Sequence, residues 1–96
     1  MTVEELRAEL EKITIALLGS GFYNINTAGT VEKLGQLAVT AGGLNMKEGK
    51  RLIENLSEAI KGIQDGKTTV DSGNLRLTAL DFYLKKHSAS GTVEEL

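Results

Sequence analysis

Apolar residues that recur every three or four positions, in stretches cut apart by glycine, constrain this chain more than any other feature. Val3, Leu6, Leu10, Ile13 and Leu17 step 3, 4, 3 and 4, the spacing that lays one stripe along an α-helix. Glu4, Glu5, Arg7, Glu9, Glu11 and Lys12 fill the other turns, with acids early, where the helix dipole favours negative charge. Ile15 and Leu18 widen the stripe towards its end, which predicts packing on more than one side. Gly19-Ser20-Gly21 stops it. Five such positions are too few to predict a free-standing coiled coil.

The start of this helix is marked by Thr-Val-Glu-Glu-Leu at 2–6, which recurs at 92–96, with Thr-Val-Glu-Lys-Leu at 30–34. Thr2 with Glu5, and Thr92 with Glu95, fit the capping box, in which each side chain satisfies the other residue's backbone N–H. The copies lie 28 and 62 residues apart, so they share helix-start chemistry rather than a solenoid period. The closing copy has too little chain after it to hold a helix alone, and residues 91–96 are expected to form a flexible tail on a single helical domain of residues 1–90.

Phe22–Gly29 suits a short extended piece from which Phe22 or Tyr23 plugs the core. A second helix is expected from Val31, capped by Thr30, to about Ala41, with Gly42-Gly43 as its stop. A third starts at Asn45, paired with Glu48, and buries Leu52, Ile53, Leu56, Ala59, Ile60 and Ile63 until Asp65-Gly66. The stretch 68–77 has two readings. Thr-Thr-Val, a polar turn with Gly73, then Leu75 and Leu77 alternating around Arg76 fit a hairpin; a helix from Asp71 or Ser72 to His87, burying Leu77, Leu80 and Leu84, also fits. The hairpin is favoured, followed by a helix capped by Thr78 and Asp81. The expected architecture is therefore mainly α: a compact, four-helix bundle-like single domain with one short β-hairpin near residues 68–77.

Composition narrows the function. The chain has no cysteine, which removes disulfide frameworks and thiolate metal sites and suits a cytoplasmic setting. No signal peptide is evident, and no apolar run reaches the roughly 20 residues that cross a bilayer. Thirteen acids against eleven bases, a net charge of −2, argue against nucleic-acid binding driven by overall charge.

Enzyme signatures are absent. His87 is the single histidine and follows two lysines at a helix end, where cations suit the dipole. Gly19-Ser20-Gly21 follows a helix rather than a strand, and Gly66-Lys67-Thr68 lacks the upstream glycine of a phosphate loop. No catalytic residue, cofactor, metal or small-molecule substrate is indicated. A polar pocket gathering Tyr23, Asn24, Asp81 and His87 would overturn that expectation.

Two non-catalytic functions remain. Lys47, Lys50 and Arg51 lie in the first turns of the third helix, where the dipole disfavours positive charge and exposed N–H groups attract anions. With Ala38 and Gly42 four apart before the turn, they could present a helix-turn-helix recognition helix to nucleic acid. The favoured expectation is a protein-interaction module of adaptor, chaperone or regulator type. It would self-associate as a homodimer through the first or the third helix, because a chain this small has few elements with which to cover its own apolar surface. Leu6, Leu10, Ile13 and Leu17 are its expected association surface.

Overall fold

The structure is a computed structural model that describes residues 1–23 and 25–89, with side chains through residue 86. The described residues form four α-helices and no strand: α1 Val3–Ser20, α2 Thr27–Gly43, α3 Lys47–Gln64 and α4 Val70–Ala89. The mainly-α, four-helix bundle-like expectation holds. The expected tail at 91–96 and the second capping box at Thr92 lie outside the described residues.

Each helix packs on two neighbours in the cyclic order α1, α2, α3, α4, and among the described residues the diagonal pairs make no close backbone approach. Successive helices run antiparallel. Thr27 at the start of α2 donates its hydroxyl to Gln64 Oε1 at the end of α3, 3.1 Å away. At the opposite end of that pair, Gly42 lies under the stem of Lys50. Gly49 at the start of α3 touches Tyr83 late in α4, and Phe22, just past α1, lies against Gly73 near the start of α4. Loops of three to six residues force this up-and-down course.

The core is one cluster of leucine and isoleucine from all four helices, closed at one end by Phe22. Leu6, Leu10 and Leu17 come from α1, Leu34 and Leu37 from α2, Ile53, Leu56, Ile60 and Ile63 from α3, and Leu77, Leu80 and Leu84 from α4. Of the two aromatic candidates for the plug, Phe22 is buried and Tyr23 is exposed. Thr14 is also buried in α1, and its hydroxyl donates to the Glu11 carbonyl at 3.0 Å, so it carries no unsatisfied group inward. Small residues at buried positions, among them Ala38 and Ala41 on α2 and Gly49, Ser57 and Ala59 on α3, let α3 approach its neighbours closely.

The first helix starts as expected. Thr2 Oγ1 accepts from the Glu5 N–H at 3.1 Å, and Glu5 Oε1 accepts from the Thr2 N–H at 2.8 Å. Gly21, with φ of 77°, ends it in a conformation that side chains disfavour.

Three expectations are corrected. The hairpin near 68–77 is absent: α4 begins at Val70, with Thr69 Oγ1 accepting the Ser72 N–H at 3.2 Å. The reason is burial. In a strand Leu75 and Leu77 would share a face, whereas Gly73, Leu77, Leu80 and Leu84 point inward at helical spacing and Leu75 points outward. Gly73 serves contact rather than a turn, since a Cβ there would lie 2.6 Å from Ile63 Cδ1 and 3.0 Å from Phe22 Cζ. The Thr78–Asp81 cap pair consequently falls inside a helix.

The second helix starts at Thr27, not Val31, because Asn26 Oδ1 accepts the Gly29 N–H at 3.1 Å and supplies the cap one turn earlier. Asn45 does not cap α3. It adopts φ of 64° to make the tight turn, and Met46 takes the cap position without a side-chain hydrogen bond.

Candidate interaction surface

Two adjacent helices build the most developed surface feature. On α3, Glu48, Leu52 and Asn55 step 4 and 3, beside Arg51; on α4, Arg76, Ala79, Tyr83 and Lys86 step 3, 4 and 3, beside Phe82. These residues line a groove of about 630 Å³ between the helices. Arg51 donates to Glu48 Oε2 at 2.6 Å. Among the described residues, Arg76 and Lys86 make no ion pair, which leaves the groove with an excess of positive charge.

Tyr83 forms part of the groove floor. Burial pushes its phenol above the usual tyrosine range, a hydrogen bond from the Gly49 backbone pulls it partly back, and the nearby Glu48 carboxylate adds to the rise. The phenol therefore stays neutral under ordinary conditions and acts as a fixed polar contact rather than a general base.

Leu75 and Phe82 stand on the outer ridge of α4, 68% and 71% exposed, seven residues apart and so on one stripe. A shallow depression lined by Asp71, Asn74, Leu75, Thr78, Ala79 and Phe82 runs along that ridge. On α1 the corresponding outer positions Ile15 and Leu18 are 68% and 62% exposed. These two apolar side chains were expected to be packed; within one chain they are not.

The expected association surface is corrected. Leu6, Leu10 and Leu17 are fully buried and Ile13 partly so. The most regular stripe in α1 is consumed by the core, because only that face meets α2 and α4.

Lys47, Lys50 and Arg51 are all exposed, but the structure does not bring them together on one site. Only Arg51 lines the groove, while the Lys50 stem crosses Gly42 on the other side of α3. The α2–α3 pair is an antiparallel hairpin in contact at both ends, not the pair at roughly 90–120° that forms a helix-turn-helix unit. The groove cations Arg76 and Lys86 escaped the sequence reading. Their shared stripe exists only when 70–89 is one helix, and the hairpin reading separated them.

Of the four residues named for a polar pocket that would signal an enzyme, Tyr23 and Asp81 have described side chains. Tyr23 is exposed, and Asp81 pairs with Lys85 at 3.1 Å; Asn24 and the His87 side chain lie outside the described residues. Among the described residues, no group of three His, Cys, Asp or Glu is placed to hold a metal ion, and no helix is long and apolar enough to cross a membrane. No family model, curated protein or solved structure matches the chain.

Proposed function

We propose that this chain is a non-catalytic protein-interaction module of adaptor, chaperone or regulator type, that it self-associates, and that it works in the cytoplasm, to which its cysteine-free composition is suited. The observation that carries the reading is the outer ridge of α4. Leu75 and Phe82 are large, apolar and exposed on one stripe, beside a groove whose rim is charged. An apolar centre with a polar rim is the usual anatomy of a protein interface. Burying a side chain of this size contributes about 1.5–3 kcal/mol, so a partner that covers both gains substantially.

Light scattering coupled to size exclusion tests the self-association. The chain has a mass of 10.3 kDa, and the expected result is a species of twice that mass. A monomer that persists at millimolar concentration overturns it.

Nucleic-acid binding is the second reading, favoured by Arg51, Arg76 and Lys86 on one groove and weakened by the α2–α3 geometry. Fluorescence anisotropy with labelled duplex and single strand at low salt decides it. Affinity that falls steeply with salt supports a phosphate-contacting groove. No change in anisotropy removes it.

A further inference from the structure

We infer that the surface of α1 and α4 docks on a second copy of this chain, with α1 of each protomer lying antiparallel on α4 of the other. This rests on the self-association reading and names its interface. On α1 the outward stripe is Glu4, Ala8, Glu11, Ile15 and Leu18, at steps of 4, 3, 4 and 3; on α4 it is Asp71, Leu75, Ala79, Phe82 and Lys86, at steps of 4, 4, 3 and 4. Both stripes point away from the core: Glu11 is half-buried and every other member is exposed.

Laid antiparallel, the two stripes match along their length. Ile15 meets Leu75, the small Ala8 meets the large Phe82, and Glu4 meets Lys86, while Asp71 falls opposite Gly19, where there is no side chain to oppose it. Glu11 faces Ala79 and is already held by Arg7 at 3.0 Å within its own chain. Glu4 and Lys86 make no ion pair among the described residues of their own chain, so each is open to the other. Charge complementarity thus falls at one end of the pair and apolar contact at the other.

The fold supplies the symmetry. α1 and α4 are antiparallel neighbours, so a two-fold axis parallel to the bundle lays each on the other's copy in antiparallel fashion. Such an axis leaves every residue at its own height along the bundle. Phe22 against Gly73 puts the end of α1 and the start of α4 at the same end of the bundle, so the apolar halves of both stripes, Ile15 and Leu75 among them, lie at that end. The contact is isologous and closed, so it stops at a dimer rather than running on into a filament.

Cysteine cross-linking tests the register on a background free of native thiols. Under mild oxidation the variant carrying Ile15→Cys and Leu75→Cys should give a dimer on a non-reducing denaturing gel, lost on reduction. The pair Val39→Cys and Leu75→Cys, with its α2 position on another face, should remain largely unlinked. Glu4→Lys should weaken the dimer in light scattering, and adding Lys86→Glu should restore it, with helical circular dichroism unchanged throughout. A dimeric chain in which Ile15→Cys and Leu75→Cys do not link, or in which the charge reversal fails to restore association, overturns this interface while leaving self-association standing. A monomeric parent chain overturns both.

Discussion

The Tyr83 phenol near the end of α4 lies against Gly49 in the first turn of α3. Met46, at the cap position of α3, offers no side-chain hydrogen bond, and the phenol from another helix stands beside the donors that every helix start leaves open. The arrangement depends on glycine, since a Cβ on Gly49 would lie 2.9 Å from Tyr83 Oη and 3.2 Å from Cζ. One contact thereby joins the start of α3, helix pairing and the floor of the groove.

Breaking that contact from either side should cost similar amounts and should not add. Tyr83→Phe removes the phenol's polar contact with the Gly49 backbone at a cost of about 1 kcal/mol. Gly49→Ala displaces the ring, and that loss should outweigh the better helix propensity of alanine, worth about 1 kcal/mol. Urea unfolding of both variants and the double variant should return a double-mutant sum smaller than the two single losses. Strict additivity would show that the residues do not act on each other.

The same phenol sets a signature at high pH. Its proton is held more tightly in the folded chain than in the unfolded one. The associated stability is fully present below the unfolded tyrosine value, about 10, and is lost as pH rises through the higher folded value. Chemical denaturation across pH 9–11.5 should show a decline that Tyr83→Phe reduces. Equal slopes in parent and variant would contradict the burial of Tyr83.

Acid should loosen α1 first. The Glu5 carboxyl is held below its ordinary value by the hydrogen bonds from the Thr2 backbone and side chain. Glu9 is held down by hydrogen bonds from Lys12 and Lys33, the latter linking α1 to α2 at 3.4 Å. Both groups contribute stability above the unfolded carboxylate value, and it disappears as pH falls through the lower folded values. Hydrogen exchange at pH 3 should show α1 amides losing protection ahead of α3, and Glu5→Gln should shrink the difference between pH 7 and pH 3.

Two leucines two residues apart test the helix that replaced the expected hairpin. Leu77 is fully buried and Leu75 exposed, so Leu77→Ala should cost about 2–5 kcal/mol. Leu75→Ala should stay within about 0.5 kcal/mol when measured on the monomer. Comparable losses at both positions would restore the strand reading.

A close approach at the other end of α4 gives a third packing test. Gly73→Ala places a methyl group against Ile63 and Phe22, and overpacking of this kind costs about 1–3 kcal/mol. Thermal unfolding should show the loss, and Ile63→Val in the same chain should recover part of it by making room.

Where burial and local chemistry pointed the same way, the elements were legible in the residues themselves. Thr2 with Glu5 opens α1, and the apolar face of α3 from Leu52 to Ile63 is the one that meets the core. Legibility failed where one residue had two local uses. Gly73 reads as a turn and serves as a contact; Asn45 reads as a cap and makes a left-handed turn. The groove was hidden for the same reason, because Arg76 and Lys86 share a stripe only once Gly73 is inside a helix.

The sequence by itself determined that this chain is helical, roughly how many helices it forms and which leucines and isoleucines share a face on each helix, because apolar periodicity and helix-start chemistry are written in neighbouring residues. Tertiary structure decided which apolar side chains were left outside. Leu6 and Ile15, both in α1, differ in fate only through the direction in which α2 and α4 lie. That direction arises from packing among segments far apart in the chain, and no local spacing encodes it.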